Sequence, residues 1–549
     1  MSRFALTKKV IAVAIAGSAC IQSSPGASIQ QLTAEEVRQI VAQAVAKARE
    51  VNRQSVISVV DREGFVLAVW SVPGVRSTNG TVFFPGAGIV AAAVSRAGTA
   101  AFLSSDQNAF TSRTAGAIIQ QHFPAGVRNT PPGPLVGVGF SNLFYSDTNR
   151  FKRIPPNFNP FALNPRFPSP GIRGAPVAFT SLNDSPGGVP LYKGGHLVGG
   201  IGVTGDGSPT DLSPAAAIFA GFTQRTATTG FKTGRDTDED VALAGQTNFR
   251  PNPTIVASNV LINGIRIPYV EPRLEDIEDS SASEPDLGQE VTGFEIKGSP
   301  PPFQYPVARI GGIEGEIRQP IISDPLPGKI GKAGRLTAIE VKEILSLAAD
   351  RCARTRAGIR LPLGTRMQTF ITVVNNPRKN GVAPTVLGTF RVGEATMFSW
   401  DVAVQKARTA VFFSNRQLAQ SCRTVGFLAQ RYFPPGLDGR PYGPYFGFQE
   451  AVTLRLNFNV LNPNDQNNPF PPNPNLPNGL TIFPGGFPLY RDGQLVGAIG
   501  VSGDGVDQDD IVASSGCEDF LPKLRIRADS YTYRGARLPY AKFPRDPDF

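Results

Sequence analysis

Histidine is the scarcest reactive residue of the chain: His122 and His196 are the only two among 549 residues. Multi-histidine metal centres are therefore excluded, and a histidine-dependent triad has only these two candidates. Cysteine is thin as well. Cys20 lies near the N-terminus, and Cys352, Cys422 and Cys517 lie in the C-terminal half with no CxxC spacing. That pattern permits one disulfide and equally suits small buried residues. Basic residues are better placed for chemistry. Arg96 and Lys406 occupy corresponding helical positions, as do Arg113 and Arg423. Guanidinium and ammonium groups suit carboxylates, either those of a ligand or those of the protein in inter-helix ion pairs. Asp61 and Asp206 are a formal carboxylate pair, but Asn375 stands where Asp61 would recur. Gly200 to Gly205 satisfies GxGxxG, yet it lies late in its domain within a strand pattern, and Ala498 replaces its first glycine on recurrence. A dinucleotide site is rejected on that ground. Glycines in such a strand point to a bulge or to close backbone approach, including approach to a ligand.

These correspondences extend along the chain. Leu32-Thr33-Ala34-Glu35-Glu36-Val37 recurs as Leu336-Thr337-Ala338-Ile339-Glu340-Val341, and Gly187 to Tyr192 as Gly485 to Tyr490. His122-Phe123-Pro124 matches Tyr432-Phe433-Pro434, and Ile201 to Gly207 matches Ile499 to Gly505. Ordered matches of this kind indicate duplication. The expected organisation is a first domain at 30–270, an acidic, Pro/Gly-rich linker at 271–333 and a second domain at 334–549. Asn/Pro/Phe-rich insertions are expected at 141–186 and 454–484, as binding or partner-contact loops or as padding.

Within one repeat the periodicities alternate. Thr33 and Glu36 form a capping box ahead of apolar positions at helical spacing. Ser55 to Val60 and Phe65 to Trp70 flank a turn and predict a hairpin. Ile89 to Leu103 and Ser112 to Gln121 read as helices. Val189 to Tyr192 and Leu197 to Val203 predict a second hairpin. The order α-β-β-α-α-β-β lacks βαβ alternation, so the expected class is α+β: two homologous domains, each an antiparallel sheet flanked by helices.

Composition agrees with a folded, loop-rich protein, with 58 glycines, 49 prolines and 18 % charged residues. The net charge of +10 is scattered, which argues against nucleic acid as a partner. Arg3, Lys8 and Lys9 precede an apolar run from Val10 to Ala16, then small residues and Cys20. Residues 1–20 thus read as an export signal, directing the chain to the periplasm or cell envelope. Cys20 is a candidate lipid anchor and the only expected membrane attachment.

The succession of motifs resembles the GlcG/HbpS family of haem-binding-protein domains, also seen at the C-terminus of some corrinoid adenosyltransferases. The matching residues are Val59 to Gly64, Arg96 to Ala100, Gly187 to Leu191 and Gly200 to Gly205, then Lys406 to Ala410, Gly485 to Leu489 and Ala498 to Gly503. The resemblance implies a haem or another small planar ligand as cofactor. Under it, Arg96, Thr99, Arg113, Lys406, Thr409 and Arg423 become candidate cofactor-binding residues. Phe102, Phe123, Phe140, Phe412, Phe413 and Phe433 are candidates for an apolar slot. His122 becomes a candidate axial ligand of the iron, with Tyr432 as its counterpart. A helix-terminal histidine equally suits a dipole contact. Two further readings stay open: an interaction protein that contacts an envelope partner through the insertions, and a haem-degrading or small-molecule enzyme, for which no catalytic residue is assigned.

Overall fold

The computed structural model describes residues 30–78, 81–85, 87–124, 126–136, 138, 182–205, 234–271, 278–301, 305–362, 364–446 and 480–542. The expected export signal with Cys20, Asp206, Phe140 and most of both insertions lie outside them. At the first helix, α1 (Ala34–Val51), the capping box forms as the sequence predicts. Thr33 N–H donates to Glu36 Oε2 at 2.8 Å, and Glu36 N–H donates to Thr33 Oγ1 at 3.2 Å. Helix α1 leads into strands β1 (Val56–Asp61) and β2 (Val66–Ser71), then helices α2 (Ala87–Leu103) and α3 (Ser112–Ile118). Strands β3 (Gly188–Lys193) and β4 (His196–Thr204) and helix α4 (Thr237–Gly245) follow.

These elements form three layers. Val56 and Val60 of β1 pack against Val90, Ala93, Val94 and Ala97 of α2, while Ile57 and Val59 face Val37, Ile40, Val41 and Val45 of α1 and Val241 of α4. Every residue of β1 and β2 is buried, so the apolar run is near-continuous instead of alternating. Each such valine or isoleucine contributes about 1.5–3 kcal/mol by leaving water. The strand glycines serve this packing. A Cβ on Gly202 would lie 2.1 Å from Ala93 O, and one on Gly200 would lie 2.3 Å from Ala97 O. The glycines let α2 lie directly on β4, so the close approach is by a helix and not by a ligand.

The segment expected as a linker is instead built into both sheets. Strand β5 (Gln289–Glu290) pairs with Trp70 and Ser71 of β2. Phe294 is fully buried, and its carbonyl accepts from Val69 N–H at 3.0 Å. Acidic and proline-rich composition marked this stretch as solvated, but Val291 and Phe294 give it an apolar underside that straps β2. Strands β6 (Val307–Ile310) and β7 (Ile313–Gln319) then extend a second sheet.

That sheet sits among α5 (Ala338–Arg354), β8 (Phe370–Asn375), β9 (Val386–Val392), α6 (Phe398–Phe412), α7 (Cys422–Leu428), β10 (Gly486–Arg491), β11 (Gln494–Ser502) and α8 (Val506–Gly516). The first sheet runs β3-β4-β1-β2-β5 and the second β6-β7-β9-β8-β11-β10, with antiparallel pairing throughout. Registers correspond. Val56 faces Thr204 and Asp61 faces Gly199; likewise Phe370 faces Ser502 and Asn375 faces Gly497. The three cysteines of the C-terminal half are free and buried, with their thiols pushed up by desolvation. Among the described residues, no helix is long and apolar enough to cross a membrane.

Candidate functional site

Of the cations expected at a ligand, Arg96, Arg113 and Lys406 are buried and Arg423 is partly exposed. Arg96, on α2, reaches Asp238 Oδ2 at 2.6 Å and Val203 O. Arg113, on α3, forks onto Glu239, with Nε 2.9 Å from Oε1 and Nη2 2.9 Å from Oε2. Both carboxylates lie in the first turn of α4, where the helix dipole favours negative charge. The second half repeats the clamp on α8. Lys406 Nζ donates to Asp509 Oδ2 at 2.7 Å and to Val501 O at 2.8 Å, and Arg423 Nε donates to Asp510 Oδ2 at 2.8 Å. Burial pushes the Lys406 ammonium below its ordinary range, and pushes the Asp509 carboxyl up to about 6. The two threonines bind backbone. Thr99 Oγ1 accepts Asn183 N–H at 2.6 Å and Thr409 Oγ1 accepts Thr481 N–H at 3.1 Å, anchoring the approaches to β3 and β10. In the structure the four cations take protein carboxylates as partners, and the two threonines tie down chain entries.

His122 and Tyr432 meet between the halves. Their rings stack with centroids 6.1 Å apart. His122 Nδ1 is 3.0 Å from Thr130 O, and Nε2 is 2.6 Å from Asp438 Oδ1. Both ring nitrogens therefore face oxygen acceptors, and in this arrangement neither is directed at an iron. Phe102, Phe123 and Phe433 are core residues. Nearby, a cavity of about 30 Å³ is lined by Phe102, Phe398, Phe483, Arg360 and Asp504. It has room for water and not for a tetrapyrrole. Burial pushes the Asp504 carboxyl up to about 7, although Ile359 and Leu361 N–H groups donate to it.

A larger opening lies on the second half, built from residues that no single sequence motif brings together. Its volume is about 840 Å³. The turn between β8 and β9 supplies Asn376, Arg378 and Lys379; the end of α6 supplies Val411 and Phe412; the following turn supplies Asn415 and Arg416; and β11 supplies Gln494 and Leu495. Asx-type bonds shape both turns. Asn376 Oδ1 accepts Arg378 N–H at 3.0 Å, and Asn415 Oδ1 accepts Gln417 N–H at 2.8 Å. Phe412 is 37 % exposed and forms part of the wall. Of the aromatic residues expected in a slot, it is the one lining this groove among the described residues. Arg378, Lys379 and Arg416 are exposed at the groove, and no carboxylate pairs with them among the described residues.

The matching surface of the first half is covered. Tyr192 Oη donates to Ser105 O and Tyr490 Oη to Asn415 O, each at 2.7 Å, which aligns the two turns. In the first half Ser105 Oγ donates to Arg360 O at 2.8 Å, Asn108 Nδ2 to Ile359 O at 3.1 Å, and Arg360 Nε to Ser104 O at 2.9 Å. Arg62 forms ion pairs with Glu394 and Asp106. The long connection between α5 and β8 thus closes the first surface, whereas the four-residue connection at 52–55 leaves the second open. A signal was present in the sequence: Asp106 of the first half becomes Arg416 in the second.

Among solved structures, the chain is similar to the PduOC:heme complex, with 21 % identity over 34 % of this chain and 94 % of that one, and a TM-score of 0.21. The Klebsiella pneumoniae protein ORFY matches with 20 % identity over 35 % and 95 %, TM-score 0.23. A double mutant of Streptomyces reticuli HbpS matches with 20 % identity over 35 % and 94 %, TM-score 0.20. No curated protein matches the chain. The family model described as haem degrading protein HbpS-like matches residues 379–518, a stretch that contains Lys379, Phe412 and Arg416 of the groove. The match is to one HbpS-like stretch and begins after α5 and β8 of the second half.

Proposed function

We propose that the chain binds haem, or a closely related tetrapyrrole, in the groove of its second half. The observation that carries this reading is the groove itself: about 840 Å³, with the exposed ring of Phe412 on one wall and three cations that form no ion pair with a carboxylate among the described residues. Small-molecule sites typically span about 300–1,000 Å³. A tetrapyrrole with two propionates matches that chemistry, its ring against Phe412, Val411 and Leu495 and its carboxylates towards Arg378, Lys379 and Arg416. Arg378, Lys379 and Arg416 thus meet the ligand's carboxylates in place of Arg96, Arg113, Lys406 and Arg423. Redox and oxygen chemistry at iron is what haem itself supplies when bound. The chain's part is to hold the ring and its carboxylates.

On the same reading the chain is a tandem of two HbpS-like domains, supported by the corresponding registers of β1 with β4 and of β8 with β11. It is exported, as the basic and apolar N-terminal residues suggest. Haemin titration of the purified chain, followed in the Soret region, tests the binding. Saturable change at micromolar haemin is expected. Arg416→Asp, which introduces the acid found at the first-half position, should weaken it by about tenfold or more. Non-saturating uptake by the unaltered chain would contradict the reading.

A further inference from the structure

We propose that the groove selects the carboxylate edge and flat face of a porphyrin irrespective of the metal at its centre. The proposal deepens the tetrapyrrole reading above and rests on it. Iron recognition needs a side chain with an available lone pair, normally histidine, cysteine, methionine or tyrosine. Among the described residues that line the groove there is none of these. Lys379 presents an exposed ammonium, which is a donor only. The imidazoles are elsewhere: His122 is held between Thr130 and Asp438, and His196 lies in the first half, 2.9 Å from Asp106. The three thiols of the C-terminal half are buried.

What the groove does offer is anion recognition beside an apolar surface. Arg378 and Lys379 stand on one turn and Arg416 on the other, so two positive lips border the wall that carries Phe412. The corresponding first-half turn carries Asp106, bonded to Leu197 N–H and His196 and close to Arg62. The charge reversal is confined to the half whose surface stays open. Two carboxylates and a planar apolar body are therefore the features of a ligand that these residues can distinguish, and the central metal is not one of them.

The test compares three probes on the full chain: haemin, metal-free protoporphyrin IX and protoporphyrin IX dimethyl ester, each followed by absorbance and by quenching of intrinsic fluorescence. The acid forms are expected to bind within about threefold of one another, and the ester at least tenfold more weakly. The triple variant Arg378→Gln, Lys379→Gln and Arg416→Gln should lose most of the difference between acid and ester. Binding of haemin without protoporphyrin IX would overturn the proposal in favour of iron ligation, leaving the haem reading intact. Equal binding of acid and ester would overturn it by removing the carboxylates from recognition. Failure of all three probes would overturn the tetrapyrrole reading and this proposal with it.

Discussion

Asp61 and Asp504 show how single buried groups tie the stability of this chain to pH. Burial raises each carboxyl to about 7, above its ordinary range. Each therefore binds its proton more tightly in the folded chain than in the unfolded one. The stabilisation is complete below about pH 4 and is lost as pH rises through about 7. At the position matching Asp61 the second half carries Asn375, whose Oδ1 accepts Thr385 N–H at 2.7 Å, much as Asp61 Oδ1 accepts Phe65 N–H at 2.9 Å. Asp61→Asn should accordingly raise the melting temperature at pH 8 by a few degrees and change it less at pH 5. Thermal scans at the two pH values check this, and an equal shift at both would count against a raised Asp61.

The buried clamp gives a second prediction at the same scale. Arg113→Ala leaves Glu239 buried without its partner and should cost about 3–5 kcal/mol, whereas Arg113→Met with Glu239→Leu should cost much less. Urea denaturation of the single and double variants measures the difference. Arg113 and Arg423 were recognisable in the sequence as a recurring pair. Their partners were less so, because Glu239 and Asp510 lie more than 80 residues away and reach the cations only once α4 and α8 cross behind the sheets.

Elements were legible wherever one local rule determined them. Thr33 with Glu36, and Thr337 with Glu340, mark the starts of α1 and α5 because both partners of each capping box lie within one turn. The hairpin of β1 and β2 was legible for a similar reason, with β-branched runs on either side of Asp61 to Gly64. Strands β5, β6 and β7 were not. Gln289–Glu290 is polar, and Ile313–Gln319 places Glu and Arg among its apolar residues, so their pairing depends on the exposed edges of β2 and β9. The glycines of β4 and β11 signal close approach in the sequence, but only the folded chain shows that the helices α2 and α6 are what approaches. A Cβ on Gly500 would lie 1.9 Å from Ala403 O. Gly500→Ala should therefore destabilise the chain by about 1–3 kcal/mol, read as a lower urea midpoint. An unchanged midpoint would mean that α6 does not rest on β11 in this way.

At the scale of the whole molecule, the two halves are unequal in what they leave open. The connection from α5 to β8 reaches across to Ser104, Ser105 and Asn108, while its counterpart after α1 is too short to do the same for Ser414 and Asn415. Joining two similar halves has thus closed one surface with the chain's own Ile359 and Arg360 and kept the other as a cationic groove. This arrangement was illegible in the sequence, because the groove brings together the 376–384, 411–417 and 494–495 regions. The charge reversal from Asp106 to Arg416 was visible, but without the fold nothing linked it to an opening. The asymmetry fixes an expected stoichiometry of one ligand per chain, although two halves of similar architecture would otherwise suggest two. The most direct measurement is a Soret titration of haemin into the full chain at concentrations well above the dissociation constant, repeated with the variant Arg378→Gln, Lys379→Gln and Arg416→Gln. A break at one haemin per chain is expected, disappearing or weakening at least tenfold in the variant; a break at two, or one left unchanged by the variant, would refute a single cationic haem groove.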